Sequence, residues 1–196
     1  MKIFFFGGSF DPPHKGHKSI AEFCIKNNLC DKFLFIPTKK NPLKSNPFFS
    51  VKDRLYMLQI ITNSINEGKI GKVEVDTYEI KSSKKESFTI DTVNYLLNKY
   101  KNDEIFMVVG KDILKNLEKW KKWDEIQNLV KLVCVNRSEY ESNSFVDIDC
   151  MIEEINFNID STYIRKKIMA GDFSKILNKI PSEILKHLKK INNNNI

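Results

Sequence analysis

Apolar residues along this chain follow two rhythms. Lys2-Ile3-Phe4-Phe5-Phe6, Lys32 to Pro37 and Glu104 to Val109 are short, nearly unbroken apolar runs. Runs of this kind suit strands covered on both faces, because a solvated face would place a polar residue at every second position. Three further segments, Val73–Ile80, Leu129–Asn136 and Asp147–Phe157, also predict strands. Between the strands the apolar spacing lengthens to that of a helix. It predicts helices at His17–Asn28, Val51–Ile65, Thr89–Tyr100, Asp112–Gln127, Ser161–Ala170 and Pro181–Ile191. Strand–helix alternation implies parallel βαβ units, hence an α/β fold of three layers with a mainly parallel sheet and ligand at the carboxyl ends of the strands. Segments Thr38–Ser50 and Ile80–Ser87 are rich in lysine and serine and read as loops. There is no internal repeat, so a single domain is expected over residues 1–191, with 192–196 as a frayed tail.

Composition narrows the picture. The 196 residues, 41% of them hydrophobic and 11% aromatic, suffice for one packed core. No stretch approaches the roughly 20 apolar residues of a membrane span. The N-terminal run passes straight into Gly7-Gly8 without a small-residue cleavage site, so it reads as a core strand and a cytoplasmic protein is expected. Cys24, Cys30, Cys134 and Cys150 show neither CxxC pairing nor metal-ligand spacing, and are read as single thiols of a reduced protein with no protein-held metal. The net charge of +7 comes from lysines in nearly every segment, most of them solvated; a basic field would also draw anionic ligands into a cleft. Aromatic and basic residues do not interleave as in RNA-binding sheets, and no recognition-helix motif occurs, which speaks against nucleic acid.

The chemistry concentrates between the first strand and the first helix, in Gly7-Gly8-Ser9-Phe10-Asp11-Pro12-Pro13-His14-Lys15-Gly16-His17. Glycines at a strand-to-helix turn let backbone N–H groups approach a ligand, and the helix dipole favours an anion there. Asp11 and Pro12 are expected to fix the turn, by an Asx-type bond and a preset φ. His14 and His17 add imidazole N–H donors, so the segment reads as a polyphosphate cradle. Far along the chain, Ser161 and Thr162 are placed to cap a helix whose amides face phosphate, with Arg165 one turn on to reach the same anion.

These two segments resemble the paired signatures of the nucleotidylyltransferase superfamily. His14-Lys15-Gly16-His17 matches its HxGH motif, and Ile159-Asp160-Ser161-Thr162-Tyr163-Ile164-Arg165 departs from ISSTxIR at Asp160. The middle of the chain resembles the bacterial-type nicotinate mononucleotide adenylyltransferases. Arg54-Leu55-Tyr56-Met57-Leu58 is similar to their RxxML segment and Ser87-Phe88-Thr89-Ile90-Asp91-Thr92 to SYTxDT. Gly110-Lys111-Asp112 followed by Trp120-Lys121-Lys122-Trp123 is similar to GxD…WxxW. The resemblance covers Lys2 to about Ala170 and implies a Rossmann-like nucleotidylyltransferase fold, ATP and nicotinate mononucleotide as substrates, Mg²⁺ carried on the phosphates and homo-oligomerisation. It places Gly7, Gly8, Ser9, Phe10, His14, His17, Ser161, Thr162 and Arg165 around ATP, with His14, His17 and Arg165 catalytic. It also implies that Trp120 stacks on the pyridine ring, that Thr89 and the Lys121 backbone N–H receive its carboxylate, that Asp112, beside Gly110, holds a ribose hydroxyl, and that Lys44 lies near phosphate.

Three departures touch the acceptor side. Asn41-Pro42-Leu43-Lys44 lacks the histidine of PPHK, Phe88 stands for tyrosine, and Lys81 to Glu86 lacks the usual Arg and Gly. Nicotinamide mononucleotide or 4′-phosphopantetheine therefore stand as alternative acceptors, and a non-catalytic nucleotide sensor or nucleic-acid module as readings of another class.

Overall fold

In the computed structural model, which describes residues 1–43, 45–67, 72–135, 149–152 and 159–194, the central strands bury both of their faces. Among the described residues they are β1 (Lys2–Gly8), β2 (Lys32–Pro37), β3 (Val73–Val75), β4 (Glu104–Gly110), β5 (Lys131–Val135) and β6 (Cys150–Ile152). They form one sheet in the order β3-β2-β1-β4-β5-β6, and every pairing is parallel. Side chains alternate across a strand. Phe4, Phe6, Phe33, Phe35 and Phe106 accordingly face one layer, formed by α1 (Lys15–Lys26), α2 (Val51–Asn66), α6 (Ser161–Met169) and α7 (Ser182–Asn194). Ile3, Phe5, Leu34, Ile36, Ile105 and Met107 face the other, where α4 (Thr89–Lys99) and α5 (Trp123–Leu129) pack. The result is the expected three-layer, Rossmann-like fold.

This strand order reverses direction at β1, whose neighbours are β2 and β4, and a crevice opens where connections leave a parallel sheet in opposite directions. The β1–β4 register ends at Phe5 opposite Met107, although β1 continues to Gly8 and β4 to Gly110. The last residues of both strands are thus splayed apart, and the cleft lies between them.

Several boundaries differ from the sequence expectation. The strand expected over Val73–Ile80 stops at Val75. The Asp76 carboxylate then accepts bonds from the Tyr78 N–H (2.9 Å), the Tyr95 hydroxyl (3.0 Å) and Lys99 (2.7 Å), and the chain turns into the short helix α3 (Tyr78–Lys81). The single helix expected over Asp112–Gln127 is interrupted. A 3₁₀ segment, Lys111–Lys119, ends at Trp120, whose backbone is extended; Lys122 is left-handed at φ 58°, and α5 follows. On an unbroken helix residues three apart share a face, so the break is what separates buried Trp123 from half-buried Trp120. Strand β5 begins at Lys131 because α5 runs through Leu129, and Asn136 lies outside the described residues. Of Asp147–Phe157, residues 149–152 are described and contain β6; α7 continues to Asn194, into the segment read as a tail.

Candidate active site

Two glycines end β1 for different reasons. A Cβ at Gly8 would stand 3.2 Å from the Phe10 ring, whereas one at Gly7 would meet nothing within 4 Å, and Gly7 lines the cleft. Phe10 takes a left-handed backbone at φ 47°, a strained choice for a bulky residue. Its ring is held edge-on by Phe6, Phe35 and His17, so packing compensates the strain and turns the chain towards α1. His14 is the N-cap of α1, and its backbone N–H donates to His17 Nδ1 at 3.2 Å while the two rings stack at 3.8 Å. Because Nδ1 accepts, the proton of neutral His17 sits on Nε2, leaving that nitrogen as a donor. Both imidazoles line a cleft of about 970 Å³.

The Asp11 carboxylate makes no local Asx turn, contrary to expectation. It is buried and accepts the backbone N–H groups of Phe48 and Phe49, each at 2.8 Å, tying the loop before α2 to the glycine turn. Arg165 crosses from α6 to the same turn: its guanidinium donates to the Asp11 carbonyl at 2.6 Å and to Thr162 Oγ1 at 3.1 Å. The two sequence signatures, 154 positions apart at Asp11 and Arg165, therefore meet by direct hydrogen bonding. Ser161 Oγ donates to the Pro12 carbonyl at 3.0 Å rather than capping α6. The cap is Asp160, whose carboxylate accepts the N–H groups of Thr162 and Tyr163, each at 3.0 Å. Burial would raise the Asp160 pKa, but these bonds, with Arg165, outweigh it and hold the carboxyl below its ordinary range.

The other end of the cleft collects Thr89, Gly110, Asp112, Trp120 and Lys121, so residues from the starts of α4 and the 3₁₀ segment and from the helix break share one cavity with Gly7, Gly8, Ser9 and Phe10. Lys44 lies outside the described residues. Its neighbours Asn41, Pro42, Leu43 and Ser45 line the same cavity.

Sequence reasoning missed the burial of two ionisable groups here. Arg54 is 1% exposed, and its Nη1 donates to the carbonyls of Ser9 and Thr38, both at 2.8 Å, bridging the glycine turn to the end of β2. Burial lowers its pKa while the Asp11 carboxylate pulls the other way. The signal was available, since Arg54 shares a helical stripe with Met57, Leu58 and Ile61. Glu79 also lines the cleft, its Oε1 accepting the Thr92 hydroxyl at 2.6 Å. Burial pushes its carboxyl up, and the Thr92 and Ser87 hydroxyls only partly counter this. With Val73–Ile80 read as a strand, nothing marked Glu79.

The glycine turn, two imidazoles and an arginine from a distant helix meet at a topological switch point, which marks the class of nucleotide-binding α/β proteins. Comparison with known proteins narrows this class. The family described as cytidylyltransferase-like matches residues 5–167. A protein of Aliarcobacter butzleri named "Probable nicotinate-nucleotide adenylyltransferase" is 37% identical over 175 residues, covering 86% of this chain and 93% of that one. The nicotinate-nucleotide adenylyltransferase of Bacillus subtilis is 29% identical over 194 residues, 96% of each chain. Among solved structures, the Plasmodium falciparum nicotinic acid mononucleotide adenylyltransferase complexed with NaAD shares the fold with a TM-score of 0.82 over 97% of this chain and 96% of that one, at 19% identity. The chain belongs to the cytidylyltransferase-like family and, within it, to the nicotinate-nucleotide adenylyltransferases. Among the described residues no helix is long and apolar enough to cross a membrane.

Proposed function

We infer that this chain transfers the adenylyl group of ATP to nicotinate mononucleotide, giving nicotinate adenine dinucleotide and pyrophosphate on the route to NAD. The observation that carries this reading is the cleft itself, which joins His17 and Arg165 to Thr89 and Trp120 in one cavity of about 970 Å³. The 5′-phosphate of the acceptor is a nucleophile at neutral pH, so the reaction requires no general base. Its oxygen bonds to the α-phosphorus as the bond to the bridging oxygen of the β-phosphate breaks, and pyrophosphate leaves with its electron pair. Catalysis then consists of in-line alignment and stabilisation of charge on the oxygens in flight.

In this reading His17 Nε2–H donates to an α-phosphate oxygen, and His14, Ser161, Thr162 and Arg165 hold the departing phosphates, assisted by the backbone of Gly7 to Phe10. Mg²⁺ would arrive on ATP as part of the substrate and offset the charge of its phosphates. Asp112 holds a ribose hydroxyl beside Gly110, and Lys44 supplies charge near phosphate. Trp120 offers its face to the pyridine ring. Pyrophosphate release from ATP, followed with nicotinate mononucleotide, nicotinamide mononucleotide and 4′-phosphopantetheine in parallel, tests the reading. The acid should be turned over fastest, and release with neither mononucleotide would overturn it.

A further inference from the structure

Acid and amide mononucleotides differ at one place, a carboxylate against a carboxamide on the pyridine ring. A hydroxyl such as that of Thr89, or a backbone N–H, donates to an oxygen of either group, so one such contact alone discriminates little. A net positive charge adds a preference for the anion over the neutral amide, and Lys121 brings one to the acceptor end of the cleft. Lys121 Nζ stands 4.3 Å from the centroid of the Phe88 ring. An ammonium over an aromatic face is attracted by the ring quadrupole, which keeps it at the cleft wall. No carboxylate among the described residues lies within ion-pair distance of Lys121, whereas its neighbour Lys122 pairs with Glu125 at 2.8 Å.

The surroundings favour an incoming anion. Phe88 precedes Thr89, the first residue of α4, and no side chain caps that helix, so the positive end of its dipole faces the same region. Asp91, in the first turn, is answered by Lys84 at 2.7 Å. Glu79 is buried with one oxygen bonded by Thr92, and its raised pKa reduces its repulsion of a carboxylate.

We propose that the Lys121 side chain pairs with the carboxylate on the acceptor's pyridine ring and is the group by which this chain selects the acid over the amide. The inference rests on the acceptor class assigned under Proposed function. It gives the ammonium a role beyond that of the Lys121 backbone N–H, which any residue at this position supplies.

The test compares kcat/KM for the two mononucleotides in wild type, Lys121→Met and Lys121→Arg. Methionine keeps the backbone N–H and much of the stem while removing the charge. The acid-to-amide ratio should fall about tenfold in Lys121→Met, equivalent to about 1.4 kcal/mol, chiefly through KM for the acid. It should stay near the wild-type value in Lys121→Arg. Rising salt should erode the ratio in wild type and much less in Lys121→Met. A Lys121→Met enzyme with the wild-type ratio, or a wild-type enzyme without acid preference, overturns the inference. Wild-type failure to use either mononucleotide overturns the functional reading instead. If Lys121→Met proves insoluble, the wild-type salt titration decides alone, and a salt-independent ratio counts against the inference.

Discussion

His17 and Glu79 share the walls of one cleft, and their surroundings prepare them for opposite tasks. The Nδ1 of His17 accepts the His14 N–H, which leaves the Nε2 proton for the phosphate contact proposed above without requiring the ring to be charged. Removing one such donor typically costs about 10²–10³ in turnover. His17→Ala should lose at least that in kcat while equilibrium binding of ATP changes only a few-fold; near-normal turnover would contradict the role. Glu79 is instead kept towards its neutral form by burial. Its folded-state pKa lies above the ordinary 4.5, so the native state retains a proton that the unfolded chain releases. Stability from this group is therefore complete below about 4.5 and is lost as pH rises through the folded pKa. Glu79→Gln should raise Tm relative to wild type at about pH 8, with the gain shrinking as pH falls towards 4.5. A difference independent of pH would show that Glu79 is ionised in the fold.

At the scale of elements, the start of α6 and the break at Trp120 shape the two ends of the cleft. Asp160 occupies amides that the sequence pattern offered to phosphate, so the anion contacts proposed at α6 rest on Arg165 and the hydroxyls of Ser161 and Thr162. A depressed carboxylate pKa contributes stability above its unfolded value of 3.8, and this is lost as pH drops through the folded value. Asp160→Ala should destabilise the protein by about 1 kcal/mol at neutral pH, the usual worth of an N-cap. In denaturant titrations the difference should vanish in acid, and its persistence there would refute the capping role. The existence of α6 was legible from its apolar spacing, whereas its cap was not: Asp160, Ser161 and Thr162 are all competent caps, and only the backbone geometry chooses among them. The break at Trp120 was equally hidden. Local spacing across Asp112–Gln127 is helical, and the interruption follows from the need to bury Trp123 and Leu117 while Trp120 turns to the cleft.

Across the whole molecule, the cleft depends on pins between distant segments. Arg54 joins the glycine turn to β2, and Asp11 joins that turn to the loop before α2 and to α6. Arg54→Met leaves the Ser9 and Thr38 carbonyls without this donor, at a cost of about 1–3 kcal/mol. It should also raise KM for ATP more than KM for the acceptor. Urea denaturation alongside steady-state kinetics measures both, and an unchanged midpoint would contradict the pinning role. By itself the sequence determined the alternation of strands and helices, the parallel sheet, and the two signature segments of the family. All of these are written in local spacing, where hydrophobic period and turn chemistry act over a few residues. Tertiary structure alone decided the splay of β1 from β4, the bond from Arg165 to Asp11, the burial of Arg54 and Glu79, and the approach of Lys121 to Phe88. Each joins residues far apart in the chain, and their energies exist only once the layers have packed, when water is excluded and an unanswered charge or carbonyl becomes costly.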